Sequence, residues 1–422
     1  MIPSDLFDEP LTETRAPGNV RFVSEYFRMS DYILTTNQPE KKRMLTIQTQ
    51  QPFVEVPKGP SKLDERFEFV TKIGQGAFGT VSEYLDLRNK FERVAVKAIP
   101  DAERESYEQE VKILTELNST NPYVTTLKDA FEENGFCYLV MKRADRTLGR
   151  FIHENAPIDL SMCIHIVHQI ALGLEGLHAL GYTHTDLKPD NIVIYNDLRV
   201  QIIDFGCCMK STEAAVVVPT DSEGNLYLTT RWYRAPEVVL ATKDYLSPRM
   251  DTWALGCILV EMLTGFVLFP SADEEDLLAM IEIFLGPVPS NMLMVSDNTR
   301  FLYARRTDTS VRPTTDLKKS NAHRRTRWLK YTKMCWTNRT DAFDMSDFVM
   351  FARMDHSHMF DGIEIPYFHR TINWATYLNM LYSTLDTPEA VKLRRVIRSC
   401  LVIDPGMRAN SDAIVDLLET ST

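Results

Sequence analysis

His184-Thr185-Asp186-Leu187-Lys188-Pro189-Asp190-Asn191, running into the apolar Ile192-Val193-Ile194, is the stretch on which the reading of this chain turns. Twelve residues separate Asn191 from Asp204-Phe205-Gly206, which again follows an apolar run. Asp186 is a candidate base for a hydroxyl, and Lys188 a candidate to neutralise charge on a transferring phosphoryl group. Asn191 and Asp204 offer hard oxygen ligands suited to Mg2+. Any one of these aspartates alone would be read as a turn or cap residue. Their order and their company upstream carry the reading.

The upstream company begins at Gly74-Gln75-Gly76-Ala77-Phe78-Gly79-Thr80-Val81. By itself this pattern fits a dinucleotide fingerprint or a plain glycine hairpin equally well. A dinucleotide unit opens a helix at once, whereas here a β-branched strand follows. Glycines between two strands let backbone N–H groups approach phosphate oxygens with no Cβ in the way. Next, Val94-Ala95-Val96-Lys97 sets one lysine on an otherwise apolar strand, where it needs an anion or an edge position in solvent. Thirteen residues on, Glu110 lies on a segment with helical spacing, and Glu108 competes with it as the partner of Lys97.

Around these motifs the chain has an ordinary globular composition, 44% hydrophobic and 25% charged over 422 residues. That excludes a disordered chain, a collagen-like repeat and a disulfide miniprotein. The start, MIPSDLFDEP, has no apolar signal region, and the longest apolar stretch, 253–269, is broken by Glu261, so no membrane span is expected. The seven cysteines have no metal-ligand spacing, which points to a reducing compartment. The net charge is −11, yet residues 300–333 hold eleven Lys/Arg against two Asp, a local +9 that leaves −20 for the remainder. The acidic body suits basic partners or is simple solubility charge. The basic segment, with Trp328 and Tyr331, is a candidate nucleic-acid contact or a solvated face.

Seven prolines and no sustained periodicity mark residues 1–65 as an irregular N-terminal extension. Strands are expected from Phe67, over 80–87, over 93–98, near Val124 and over 136–141. Helices are expected over 102–117 and over 160–181, the second stopped by Gly181. The region 287–380 is aromatic and weakly periodic.

Taken together, these motifs resemble the eukaryotic protein kinase superfamily over about residues 67–418. Ala235-Pro236-Glu237, Asp251-x-Trp253-x-x-Gly256 and Asp404-Pro405 with Arg408 extend the resemblance. Thr230-Arg231-Trp232-Tyr233-Arg234-Ala235-Pro236-Glu237 looks like the CMGC group. His184-Thr185-Asp186 resembles the CDC-like (LAMMER) kinases within it, whose naming string appears in altered form over Asp276–Pro287. The resemblance implies an α+β bilobal fold. Its N-lobe, 66–143, would be a five-stranded antiparallel sheet plus one helix. Its mainly helical C-lobe, 144–420, would carry an insert at about 287–380.

The resemblance also implies roles. ATP would lie between the lobes, with Gly74, Gly76 and Gly79 over its phosphates and Ile73 among the residues that bind it. Val81, Ala95 and Val193 would sandwich adenine, beside a gatekeeper Met141 and a hinge that includes Arg143. Lys97, supported by Glu110, would orient the phosphates. Asn191 and Asp204 would hold Mg2+. Asp186 would orient a Ser/Thr hydroxyl with Lys188 and Thr230 beside it, and Glu237 would pair with Arg408. Basic, Arg/Ser-rich protein substrates, dual specificity toward tyrosine, and a nuclear address (or else a cytoplasmic one) follow by resemblance alone.

Three departures stand out. No Arg/Ser-rich tract precedes residue 66, the segment 204–237 contains the unusual Ala214-Ala215-Val216-Val217-Val218, and the family's His-Pro-Phe ending is missing. Thr185 replaces the arginine that reads activation-segment phosphate, so activity is expected without phosphate captured there, although Ser211, Thr212, Thr220, Ser222, Tyr227 and Thr229 are modifiable. Two alternatives stand beside an active kinase: an inactive kinase-fold scaffold, and a nucleic-acid-binding module built on 300–333.

Overall fold

Alternating side chains build the first lobe. In this computed structural model, which describes residues 60–75, 79–117, 121–210, 230–242, 247–271, 274–296, 303–305, 348–350 and 387–420, six strands pair antiparallel. They are β1 (Lys62–Leu63), β2 (Phe67–Gln75), β3 (Thr80–Asp86), β4 (Glu92–Pro100), β5 (Leu127–Glu133) and β6 (Phe136–Lys142), in the order β1-β2-β3-β4-β6-β5. Five strands were expected. The sixth comes from the end of the segment 1–65 expected to be irregular, where Leu63 pairs with Phe67 and is fully buried.

Cross-strand register fixes what each face does. Val81 pairs with Lys97 and Lys97 with Leu139; Glu83 pairs with Ala95 and Ala95 with Met141. Paired and alternate residues share a face, so these six side chains lie on one side of the sheet. Helix α1 (Arg104–Leu117) covers that side through Tyr107, against Ile99, Cys137, Leu139 and Met141. The other side carries Phe67, Tyr84, Val94, Val96, Tyr138 and Val140, with Phe67 and Phe131 stacked at 5.8 Å. Val124 is in no strand; it makes a single parallel bridge to Ile202.

The second lobe is mainly helical: α2 (Leu148–Asn155), α3 (Leu160–Ala179), α4 (Pro236–Val239), α5 (Arg249–Thr264), α6 (Glu274–Leu285), α7 (Ser290–Val295), α8 (Pro388–Cys400) and α9 (Ser411–Glu419). Asp159 caps α3 by accepting from the N–H groups of Ser161 and Met162, and Gly181, at φ +76°, turns the chain away after it. Among the described residues, α3 alone would pass for a bilayer span by length and composition, but half of that window is packed inside the core. Helix α5 is buried nearly all round. A Cβ on its Gly256 would stand 2.7 Å from the Cβ of Cys400, so glycine sets the approach of α5 to α8. Arg408 pairs bidentately with Glu237 at 2.7 and 2.9 Å, both side chains fully buried.

Short strands carry the segments between the lobes. β7 (Arg146–Thr147), β9 (Ile192–Ile194) and β10 (Val200–Ile202) form one small sheet, and β8 (Tyr182–Thr183) pairs with β11 (Met209–Lys210). In the region 287–380, α7 and a backbone pairing of β12 (Tyr303–Arg305) with β13 (Phe348–Met350) are described. Residues 1–59, the modifiable positions of 211–229, and almost all of the basic segment 300–333 lie outside the described residues.

Candidate active site

Lys97 lies on the α1-covered face of β4, and burial alone would drive its proton off. Its Nζ is 2.7 Å from Glu110 Oε2 and 2.6 Å from Asp204 Oδ1. The two carboxylates outweigh burial and raise the pKa of Lys97, so it stays charged. The same charge holds the Asp204 carboxyl below its usual range against its own burial. The partner left open by the sequence is Glu110, which is buried, while Glu108 is exposed.

Around Asp186 four donors converge. Its Oδ1 accepts from the backbone N–H and the hydroxyl of Thr230, both at 2.8 Å. Its Oδ2 accepts from Lys188 Nζ at 2.6 Å and Asn191 Nδ2 at 3.1 Å. Lys188 Nζ also donates to Thr230 Oγ1 at 2.9 Å, which closes a triangle among three expected residues. The 3-10 turn Pro189–Asn191 ends directly in β9 and so places Asn191 at the rim of the small sheet.

The loop that carries Asp186 is held from beneath. Asp251, buried at the start of α5, accepts from the backbone N–H groups of His184 at 2.7 Å and Thr185 at 3.0 Å. His178 Nε2 lies 2.9 Å from the same carboxylate, and His178 Nδ1 lies 3.0 Å from Ser411 Oγ on α9. Thr185 and Asp204 both sit at φ +67°, where side-chain-bearing residues rarely go. Such conformations persist only where surrounding contacts over-determine them, as they do here. The Thr185 hydroxyl donates inward to the carbonyl of Cys207 at 2.7 Å.

Phosphate and metal chemistry fit these residues. Asn191 spends its amide nitrogen on Asp186, which leaves its oxygen as the acceptor; Asp204 engages Lys97 through Oδ1 and leaves Oδ2. Mg2+ commonly takes one or two protein oxygens and completes its shell with phosphate oxygens and water. Among the described residues no cluster of three or more His, Cys, Asp or Glu offers an all-protein cage. At the glycine-rich turn, a Cβ on Gly79 would stand 2.2 Å from the Ala98 carbonyl, so the strand pairing itself demands glycine there. A Cβ on Gly74 would meet nothing within 4 Å; Gly76 lies outside the described residues. A register shift between Lys72 and Gly74 leaves Ile73 40% exposed at the edge of the turn.

Val81, Ala95 and Met141 share the face of Lys97, and Val193 is buried on β9 with Ala144, Tyr195 and Ile203. Arg143 follows β6, and its side chain turns back to Glu83 on β3. Glu83 was missed from the sequence. Its signal is an acidic residue at an inward position of an alternating strand, between Val81 and Leu85. Ser106 and Gln109, which reach the segment after Asp204, had no sequence signal of their own.

Comparison with known proteins agrees with this architecture. The protein kinase domain matches residues 67–416, and the chain belongs to the protein kinase family. Similar proteins include the mouse Dual specificity protein kinase CLK1, 34% identical over 266 aligned positions, with 58% of this chain and 54% of that protein covered. The human Dual specificity protein kinase CLK2 is 30% identical over 273 residues, 58% of this chain and 52% of that protein. The Xenopus laevis Mitogen-activated protein kinase 14 is 32% identical over 247 residues, 56% and 64% of the two chains. The chain thus spans about half the length of the CDC-like kinases it matches.

Proposed function

We propose that this protein transfers the γ-phosphoryl group of ATP to Ser or Thr hydroxyls of protein substrates. One observation supports the reading: Lys97 is held between Glu110 and Asp204, which keeps a charged ammonium beside the carboxylate that would hold Mg2+. Phosphoryl transfer has a loose transition state, so catalysis is mostly positioning and charge neutralisation. Mg2+, held by Asn191 and Asp204, would neutralise phosphate charge. Val81, Ala95 and Val193 would enclose the base, with Met141 and Arg143 at its edge.

The acceptor arithmetic at Asp186 adds a step. A carboxylate has about four acceptor directions, and four donors occupy them. An incoming hydroxyl therefore displaces one. Lys188 is the donor with somewhere else to go: its ammonium turns from Oδ2 to the transferring phosphoryl oxygens, while Thr230 and Asn191 keep the carboxylate aimed. The proton of the hydroxyl then passes to the freed Oδ2 as the new O–P bond forms and the bond to the leaving diphosphate breaks.

The −20 charge outside 300–333 and the similarity to CDC-like kinases support basic, Arg/Ser-rich substrates, dual specificity and a nuclear setting. Purified protein with labelled ATP, Mg2+ and one Arg/Ser-rich and one acidic peptide tests the reading. Transfer to the basic peptide that vanishes in Asp186→Asn supports it. No transfer, no self-phosphorylation and no ATP binding would instead leave a kinase-fold scaffold.

A further inference from the structure

Beyond Asp204, four consecutive residues are each held by one side chain. The Phe205 N–H donates to Glu110 Oε1 at 3.3 Å. The Gly206 carbonyl accepts from Ser106 Oγ at 3.2 Å. The Cys207 carbonyl accepts from Thr185 Oγ1 at 2.7 Å, and the Cys208 carbonyl from Gln109 Nε2 at 2.5 Å. Ser106, Gln109 and Glu110 are spaced i, i+3 and i+4, so they share one face of α1. A Cβ on Gly206 would stand 2.6 Å from Ser106 Oγ, so the glycine is what lets the helix come this close.

All three donors to the carbonyls are neutral: two hydroxyls and an amide. The two parts joined are the ones that must stay together for Lys97 to keep both carboxylates, since Glu110 rides on α1 and Asp204 on the segment. We propose that Ser106 and Gln109 are positioning residues of this site. They dock residues 205–208 on α1, while Thr185 ties Cys207 to the loop that bears Asp186, which keeps Glu110 and Asp204 on Lys97 with no phosphate bound to the segment. The inference rests on the kinase reading for its effect on rate, but not for its effect on the segment itself. β11 continues the same strip of chain into its pairing with β8, so the docked stretch runs from Phe205 to Lys210.

The test uses the full chain, stripped by phosphatase and verified by intact mass. Gln109→Glu keeps the shape, removes the N–H donor and sets a charge against the Cys208 carbonyl. Ser106→Ala removes the hydroxyl and Ser106→Thr retains one. Gln109→Glu and Ser106→Ala should lower kcat by about tenfold with the KM for ATP nearly unchanged, as a shift out of the docked population requires. Ser106→Thr should keep the wild-type kcat. Amide hydrogen exchange over 205–210 should quicken by about tenfold in the first two variants while the core of α5 stays protected. Unchanged exchange over 205–210 overturns the proposal, as does wild-type protein that transfers phosphate only before phosphatase treatment. Quickened exchange in a chain that never transfers phosphate retains the docking and removes the kinase reading instead.

Discussion

Arg143 Nε donates to Glu83 Oε2 at 2.9 Å, which ties the chain after β6 to the strand that follows the glycine-rich turn. Arg93 reaches the other oxygen of the same carboxylate. Burial raises the Glu83 pKa, and the two guanidiniums more than offset it, so the carboxyl is held below its usual range. Glu83 shares its face with Val81 and Ala95, so the pair fixes the spacing of the walls that would enclose a nucleotide base. Glu83→Gln should raise the KM for ATP by up to about tenfold, the loss of one charged hydrogen bond. The value of kcat should stay within about twofold. Initial rates over an ATP series check this; an unchanged KM would remove Glu83 from the nucleotide site.

At Asp186 the four donors position a carboxylate, and Asp186→Asn keeps its shape while losing the charge. It should lower kcat by about 10²–10⁴-fold, the range for a positioned proton acceptor. Nucleotide affinity, followed by titration calorimetry, should be nearly unchanged.

Arg408 and Glu237 are both fully buried, and Arg408 also donates to the carbonyls of Val402, Ile403 and Arg249. Arg408→Ala leaves a buried carboxylate without its counter-charge, at a cost of about 3–5 kcal/mol. Urea unfolding should show that loss, and Glu237→Gln in the same chain should recover part of it.

Glu261 gives a pH signature. Burial, helped by the charge of Asp190, outweighs the hydrogen bond from Tyr233 and raises its carboxyl to about 7. Between about pH 4.5 and 7 the folded chain holds a proton that the unfolded chain has lost. This group's contribution is therefore present in full below the lower value and fades as pH rises to the upper one. Glu261→Gln keeps an acceptor for Tyr233 and should flatten the fall in stability over that window by up to ~1.4 kcal/mol per pH unit. Parallel slopes for the two proteins would refute the assignment.

Much of this was legible because the chemistry is written locally. Asp186, Lys188 and Asn191 lie within six residues, and the strand around Lys97 announces a buried charge. Period-2 alternation located β2, and strand-like or apolar runs located β3, β4 and β6, whereas β1 is two residues long and too short for any period to register. The choice of Glu110 over Glu108 needed the helix phase relative to the sheet, which only packing sets. Ser106 and Gln109 were silent for another reason: they bind backbone carbonyls about a hundred positions away, and a carbonyl carries no side-chain label.

Asp251 joins one carboxylate to the backbone of the loop that bears Asp186, and through His178 and Ser411 to α3 and α9. The floor of the proposed reaction centre is therefore also a keystone of the folding core. Heat should not release the loop of Asp186 in a stage before the chain melts: loss of amide protection at His184 and Thr185 and loss of helical signal should superimpose.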